Sequence, residues 1–324
     1  MGHFSGLVWS YVLDGQGGAQ QVSWEEWSER KTSPGILWIH LDRTGADAQA
    51  WLREKSGLEV IVTEALLAEE SRPRYFVTGE GLLVNLRGVN LNPGADPEDM
   101  VSLRLWIEPT RIITVRHRPL MAARGIQDRL EQRGGPKTSG DFLAMVADQL
   151  IARMGPVINE LEDAADELED QMVEQASSGL RGSLGALRRE AIALRRYIAP
   201  QREVMSRLQQ EPLSWIGPEH KLRLRETTDH LLRYLEDLDA ARERIAVMQE
   251  ELTNRLAEQL NRTMYIIALV TVIFLPLSLL TGLLGINVAG IPGAENHWAF
   301  ITVCSVLVIL AFGQVVIFRR LKWV

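Results

Sequence analysis

The sequence predicts an α/β cytoplasmic domain, then a long α-helical stalk, then two C-terminal transmembrane helices. Three features point there. Met264 to Gly285 and Ala299 to Phe318 are runs of 22 and 20 residues without a charge, each able to cross a hydrocarbon core of ~30 Å at about 1.5 Å per residue. Glu219 to Leu275 contains neither Gly nor Pro, which predicts one unbroken helix; counted to Gly285 it has 67 residues and a length of roughly 100 Å. The N-terminal third alternates short β-branched or aromatic runs with Gly, Pro and Asp turns, the pattern of a sheet.

Taken in order, strands are expected at Leu7–Leu13, Gly35–Leu41, Arg74–Val77, Gly81–Val89, Val101–Ile107 and Arg111–Val115, giving a sheet of about five or six strands. Ala46–Lys55 and Leu58–Glu69 read as helices between the second and third of these, Pro93–Pro97 as a loop and Gly134–Gly140 as a break. Beyond it, Asp141–Gln175 and Leu180–Gln210 are helical in pattern. The expected organisation is an α/β domain over residues 1–140, helices over 141–218, the stalk over 219–263, a first span over 264–285, a loop over 286–298, a second span over 299–318 and a tail over 319–324. Arg255 and Arg262 precede the first span and Arg319, Arg320 and Lys322 follow the second, whereas the loop has no Lys or Arg; both termini are therefore expected in the cytoplasm. Trp298 and Trp323 flank the second span, where aromatic belts form. Met1 to Gln20 lacks a basic segment followed by an apolar one, so no cleavable signal is expected.

With 35 Lys plus Arg against 42 Asp plus Glu, no broad basic field exists for a phosphate backbone, and nucleic acid is not an expected partner. The single cysteine, Cys304, excludes an internal disulfide and is expected to pack as a small hydrophobe. On the stalk, Leu231, Leu235, Leu238, Ile245, Met248, Leu252, Leu256, Leu260, Met264 and Ile267 recur at spacings of three, four and seven. The stripe calls for other helices, and a helix this long is expected to find them in further copies of the chain.

The first span closes on Gly285, Ile286 and Asn287 and contains Pro276, Leu277 and Ser278. A Gly-apolar-Asn tripeptide at this place, after a Pro-apolar-Ser/Thr step, resembles the signature of the CorA-type divalent metal ion transporter family. The usual middle residue is Met; Ile286, followed by the Gly290–Gly293 loop, resembles the zinc-transporting subfamily instead. Val12–Gly18 (VLDGQGG), Glu70–Arg74 (ESRPR), Arg195–Arg202 (RRYIAPQR) and Lys322-Trp323 extend the resemblance over essentially the whole chain. It implies a funnel-shaped homopentamer in the inner membrane, with the first spans lining an axial pore and the second spans outside them. The cargo it implies is Zn²⁺, with Cd²⁺, Ni²⁺ and Co²⁺ as possible companions; no cofactor is expected. A Mg²⁺/Co²⁺ channel of the wider family remains an alternative, as does a membrane-anchored cytoplasmic sensor, although no GxSxG, P-loop, HExxH or Gly-rich dinucleotide turn marks an enzyme.

The residues fit that picture. Thr271, Ser278, Gly282 and Gly285 keep to one helical face, which continues through Met264, Ile267 and, near it, Leu275. Hydroxyls at two levels without a carboxylate suit a cation that keeps much of its water, and Ile267 and Leu275 are candidate apolar constrictions. The same small residues would also serve close helix packing. Asn287 can offer a carbonyl oxygen at the entrance or cap the helix, and Glu295 and His297 add an anionic and an imidazole group to the loop. The segment 160–174 has eight acidic residues and no Lys or Arg; Glu160, Asp163, Asp166, Glu167, Asp170 and Glu174 could draw cations into the funnel or merely solvate a helix. No His/Cys spacing marks a tight metal site.

Overall fold

The computed structural model describes residues 4–29, 35–69, 72–174, 178–286 and 296–320. They divide into two compact units, Met1–Gln249 and Glu250–Val324.

The first unit is built on a seven-stranded mixed sheet. Its strands are β1 (Leu7–Leu13), β2 (Ala19–Gln21), β3 (Ile36–Asp42), β4 (Arg74–Thr78), β5 (Gly81–Gly88), β6 (Val101–Ile107) and β7 (Arg111–Arg116), in the order β2-β1-β3-β7-β6-β5-β4. Only β3 and β7 run parallel. Six of these strands lie where the short β-branched and aromatic runs predict them. The seventh, β2, is a three-residue edge too short to show a pattern. It is held by the turn before it: Asp14 Oδ1 accepts from the Gln16 and Gly18 amides at 2.7 and 2.9 Å, while Gly15 and Gly17 take φ of 71° and 97°, a region that L side chains avoid.

On one face of the sheet, α2 (Ala46–Glu54) and α3 (Val60–Leu67) close a core of Ile39, Leu41, Trp51, Leu52, Val62, Leu66, Trp106, Ile113 and Val115. Because successive strand residues point to opposite faces, Trp38 and His40 of β3 face the other way. There Trp38 meets Phe142 of α5 (Ser139–Ala152) edge to face at 5.0 Å and donates from Nε1 to Thr114 Oγ1 at 2.9 Å. Two helices are not evident in the sequence pattern: α1 (Trp24–Glu29) and α4 (Met121–Glu131), the latter packed on α5. The helical stretch expected from Asp141 is split at Arg153 into α5 and α6 (Met154–Glu174), and α7 spans Ser178–Leu208.

The long helix exists as one element, α8, over Pro218–Leu284, and α9 spans Ala299–Arg320. The stalk stripe corrects one expectation. Leu231, Leu238, Ile245, Met248 and Leu252 are already buried within the chain, so these positions need no second copy. Within the first unit α8 lies beside α6 and α7: Arg195 of α7 pairs with Asp239 at 2.7 Å, and Arg244 pairs with Asp166 and Glu169 of α6. The stripe first becomes exposed at Leu260 and stays so at Met264 and Ile267.

Candidate functional site

In the second unit, α8 shelters Leu269, Ile273, Leu277 and Leu280, a stripe at spacings of four, four and three. On α9 the sheltered residues include Val303, Leu307, Ala311, Gln314 and Phe318, again at helical spacing, so the two stripes match in antiparallel order. Gln314 Nε2 reaches the Val272 carbonyl at 3.5 Å and links the two helices directly. Both are long and apolar enough to cross a membrane.

The face that sequence reasoning singles out lies on the opposite side of α8. At about 100° per residue, Thr271 sits about 180° around the helix from the middle of the sheltered stripe. Met264, Ile267, Leu275, Ser278, Gly282 and Gly285 fall within about 40° of Thr271 and are exposed, Met264 by 65%, Ile267 by 56% and Leu275 by 68%. The Thr271 hydroxyl donates to the Ile267 carbonyl at 2.8 Å, which satisfies its proton inside the helix and leaves its lone pairs as acceptors. A Cβ built on Gly282 would meet nothing within 4 Å, so nothing among the described residues demands glycine there.

Gly285 donates its amide to the Thr281 carbonyl at 2.9 Å, closing the helix, and Ile286 is exposed. Asn287 and Glu295 lie outside the described residues. His297 is exposed just ahead of α9, next to Asn296, whose Oδ1 accepts from the Trp298 amide at 3.0 Å and whose carbonyl accepts from that of Ala299. Asn296 thus caps α9, a role signalled by an Asn two residues before an apolar run. Cys304, expected to pack, is exposed on α9.

The chain belongs to the CorA family. The family model described as "CorA-like Mg2+ transporter protein" matches residues 33–320. The chain is 43% identical to the divalent cation transporter CmaX of Pseudomonas aeruginosa, over 98% of this chain and 97% of that one. It is 37% identical to the zinc transport protein ZntB of Yersinia enterocolitica, over 98% and 96%. The solved structure of full-length CmaX superposes with a TM-score of 0.87 at 42% identity, covering 99% of each chain. The CorA family is one of metal cation transporters, and membership together with α8 and α9 makes this a membrane protein.

Two motifs that carried the CorA-family resemblance turn out to build the first unit. VLDGQGG forms the β1–β2 turn described above. In RRYIAPQR, Gln201 accepts the Arg87 amide of β5 at 2.6 Å and the Tyr197 ring lies 4.1 Å from the Arg87 guanidinium, so the segment fastens α7 to the sheet.

The acidic helix α6 buries Leu161, Ala165 and Met172 and presents Glu160, Asp163, Asp166, Glu167 and Asp170 to solvent. Asp166 is engaged by Arg244, and Glu167 accepts from Gln171 at 3.2 Å. The described part of Glu174 is its backbone alone. Burial and then the carboxylates of Asp237, Asp166 and Asp163 push the Glu162 carboxyl up. Burial, followed by Glu98, Glu160 and Asp96, does the same to Glu190 of α7. Among the described residues no group of three or more His, Cys, Asp and Glu could hold a metal ion.

Proposed function

We propose that this chain carries divalent metal cations, zinc foremost, across the inner membrane through the axis of a homopentamer. Both termini lie in the cytoplasm, as the Lys and Arg residues flanking the two spans imply. The observation that supports this best is the division of α8 into two faces. Its aliphatic stripe is sheltered beside α9, and the opposite face, with Thr271, Ser278, Gly282 and Gly285 among Met264, Ile267 and Leu275, is left bare. Pore lining by that face puts α9 on the outside.

Each level of the pore has a distinct task. Hydroxyl oxygens at Thr271 and Ser278 accept from the water shell of a passing ion, so it moves without losing its first-shell water. Rings of Ile267 and Leu275 exclude that water when the pore narrows and so form the gate. Asn287, with Gly285 and Ile286, makes the entrance ring, and Glu295 and His297 raise the local cation concentration before it. Neither span contains Asp, Glu or His, so a proton gradient that drives uptake must act through groups outside the bilayer. Glu162 and Glu190, whose carboxyls are pushed up, are the groups nearest to that requirement in the first unit.

Zinc is favoured by the ZntB-like Ile286 at the entrance and by the ZntB relatives. The family description names Mg²⁺, which keeps a Mg²⁺ or Co²⁺ channel as the second reading. Uptake of Zn²⁺ and Mg²⁺ into proteoliposomes that enclose metal and pH indicators separates them. Zinc uptake enhanced by an imposed proton gradient is expected; gradient-independent flux that prefers Mg²⁺ would establish the second reading. Asn287→Ala is expected to abolish uptake while the protein still assembles, and normal transport by the assembled variant would refute the entrance ring.

A further inference from the structure

Pro276 lies in the middle of the membrane segment of α8, yet the helix runs unbroken from Pro218 to Leu284. A proline there removes the N–H that would bond to the carbonyl four residues back, and its ring crowds that same carbonyl. The carbonyl belongs to Val272. In hydrocarbon no water can replace the missing donor, so an orphaned carbonyl is costly. It is this oxygen that Gln314 of α9 addresses, Nε2 to O at 3.5 Å. The two observations are independent: one follows from the sequence of α8, the other from the placement of a side chain on α9.

Gln314 is also out of character with its surroundings. It sits in the sheltered stripe of α9 between Ala311 and Phe318, where an amide is expensive to bury. The hydroxyls of Thr302 and Ser305 on the same helix are spent on carbonyls one turn back along the chain, Trp298 and Ile301, at 3.0 and 2.8 Å. The Gln314 bond leaves its helix. The Gln314 Oε1 atom is buried without a hydrogen-bond partner among the described residues, so the contact to Val272 is what the buried amide gains. At about 100° per residue, Pro276 lies about 140° around α8 from Thr271 and so on the side turned to α9. Leu275 precedes it and Ser278 lies two residues on.

We propose that Gln314 is a positioning residue for the ion pathway. Its amide supplies the hydrogen bond that Pro276 takes away and so ties α9 to α8 at the proline, fixing α8 at the level of Leu275 and Ser278. A contact of 3.5 Å sits at the long limit of hydrogen bonding, and a small shift between the two helices makes or breaks it. The proposal rests on the reading of that face of α8 as the pore. Through Gln314, the outer helix controls how far the Leu275 level can open.

A double-mutant cycle tests it, because Pro276→Ala restores the backbone N–H and makes Gln314 dispensable. Four full-length proteins are compared, wild type, Gln314→Leu, Pro276→Ala and the double variant, by thermal unfolding in detergent and by Zn²⁺ uptake into proteoliposomes. Gln314→Leu is expected to change initial uptake about fivefold in the wild-type background, the scale of one interhelical hydrogen bond in a membrane. In the Pro276→Ala background it is expected to change uptake less than about twofold. Coupling in both measurements supports the proposal. Equal effects of Gln314→Leu in both backgrounds, in both measurements, would overturn it, since packing loss alone is indifferent to the proline. Coupling in unfolding with unchanged uptake would leave the bond real and refute its part in transport. Wild-type vesicles that pass neither Zn²⁺ nor Mg²⁺ would sink the pore reading itself, and unfolding would then decide separately whether the bond exists.

Discussion

In the unit that ends at Gln249, a dense core takes up large apolar side chains, with Trp38, Ile39, Leu41, Leu82 and Phe142 all fully buried, and those left on the surface, such as Val60 and Leu222, are scattered. In the unit that begins at Glu250, side chains of the same type face outward along both helices, among them Leu260, Met264, Ile267, Phe274 and Leu275 on α8 and Phe300, Ile309 and Phe312 on α9. The polar groups reverse as well. Arginines and carboxylates pair on the surface of the first unit, as in Arg195–Asp239 and Arg118–Asp99, and again at Arg255–Glu251 where the second begins, whereas along the two apolar spans the hydroxyls bond back to their own helix. The contrast shows what each unit has for a solvent. Water drives apolar residues inward in the first, and the apolar spans of the second call for hydrocarbon around them.

The sharpest way to break this comparison uses one helix. Ile245 and Leu260 are both apolar residues of the α8 stripe, but Ile245 is fully buried and Leu260 is 67% exposed. Ile245→Asp would bury an unpaired carboxylate and is expected to leave the first unit unfolded. Leu260→Asp is expected to leave that unit folded and to shift the protein to smaller assemblies, as read by light scattering of the detergent-solubilised protein. An unchanged assembly size would show that the exposed end of the stripe does not meet another copy.

A cavity substitution comes next. Trp38→Ala should destabilise the first unit by about 3–5 kcal/mol, measured as faster hydrogen exchange of β3 amides. Leu275→Ala should leave that exchange unchanged and alter only cation flux. Protection lost in both would mean that the two units do not differ as described.

The smallest expected effect is a dependence on pH. Burial and the facing carboxylates of Glu98, Glu160 and Asp96 raise the Glu190 carboxyl above its ordinary value of 4.5. A raised carboxyl favours the folded state while protonated, so its contribution is present below pH 4.5 and is lost as the pH climbs through the raised value. Glu190→Gln is therefore expected to stabilise the first unit modestly at about pH 7, with the gain fading on acidification below that range. A gain independent of pH would point to a cause other than charge.

Much of this architecture is legible in the residues. Six strands announce themselves as β-branched or aromatic runs between turns, and α8 by a stretch free of Gly and Pro. The bare face of α8 could also be read, because its position depends only on helical spacing. Short or weakly patterned elements could not, which is why β2 and α4 escape notice. Asn296 and Gln314 were visible as a polar residue before an apolar run and an amide within one. Their roles depend on geometry that spacing does not encode.

What the sequence determined alone is whatever depends on neighbours along the chain: the two apolar spans, the unbroken α8 and the orphaned carbonyl behind Pro276. Tertiary structure decided which distant element meets which. It buried Leu231, Leu238, Ile245 and Met248 within the chain where the stripe suggested another copy, and it brought Gln314 to Val272. A stripe at spacings of three and four records that a helix has an apolar partner, and the same burial free energy is released whichever helix supplies it.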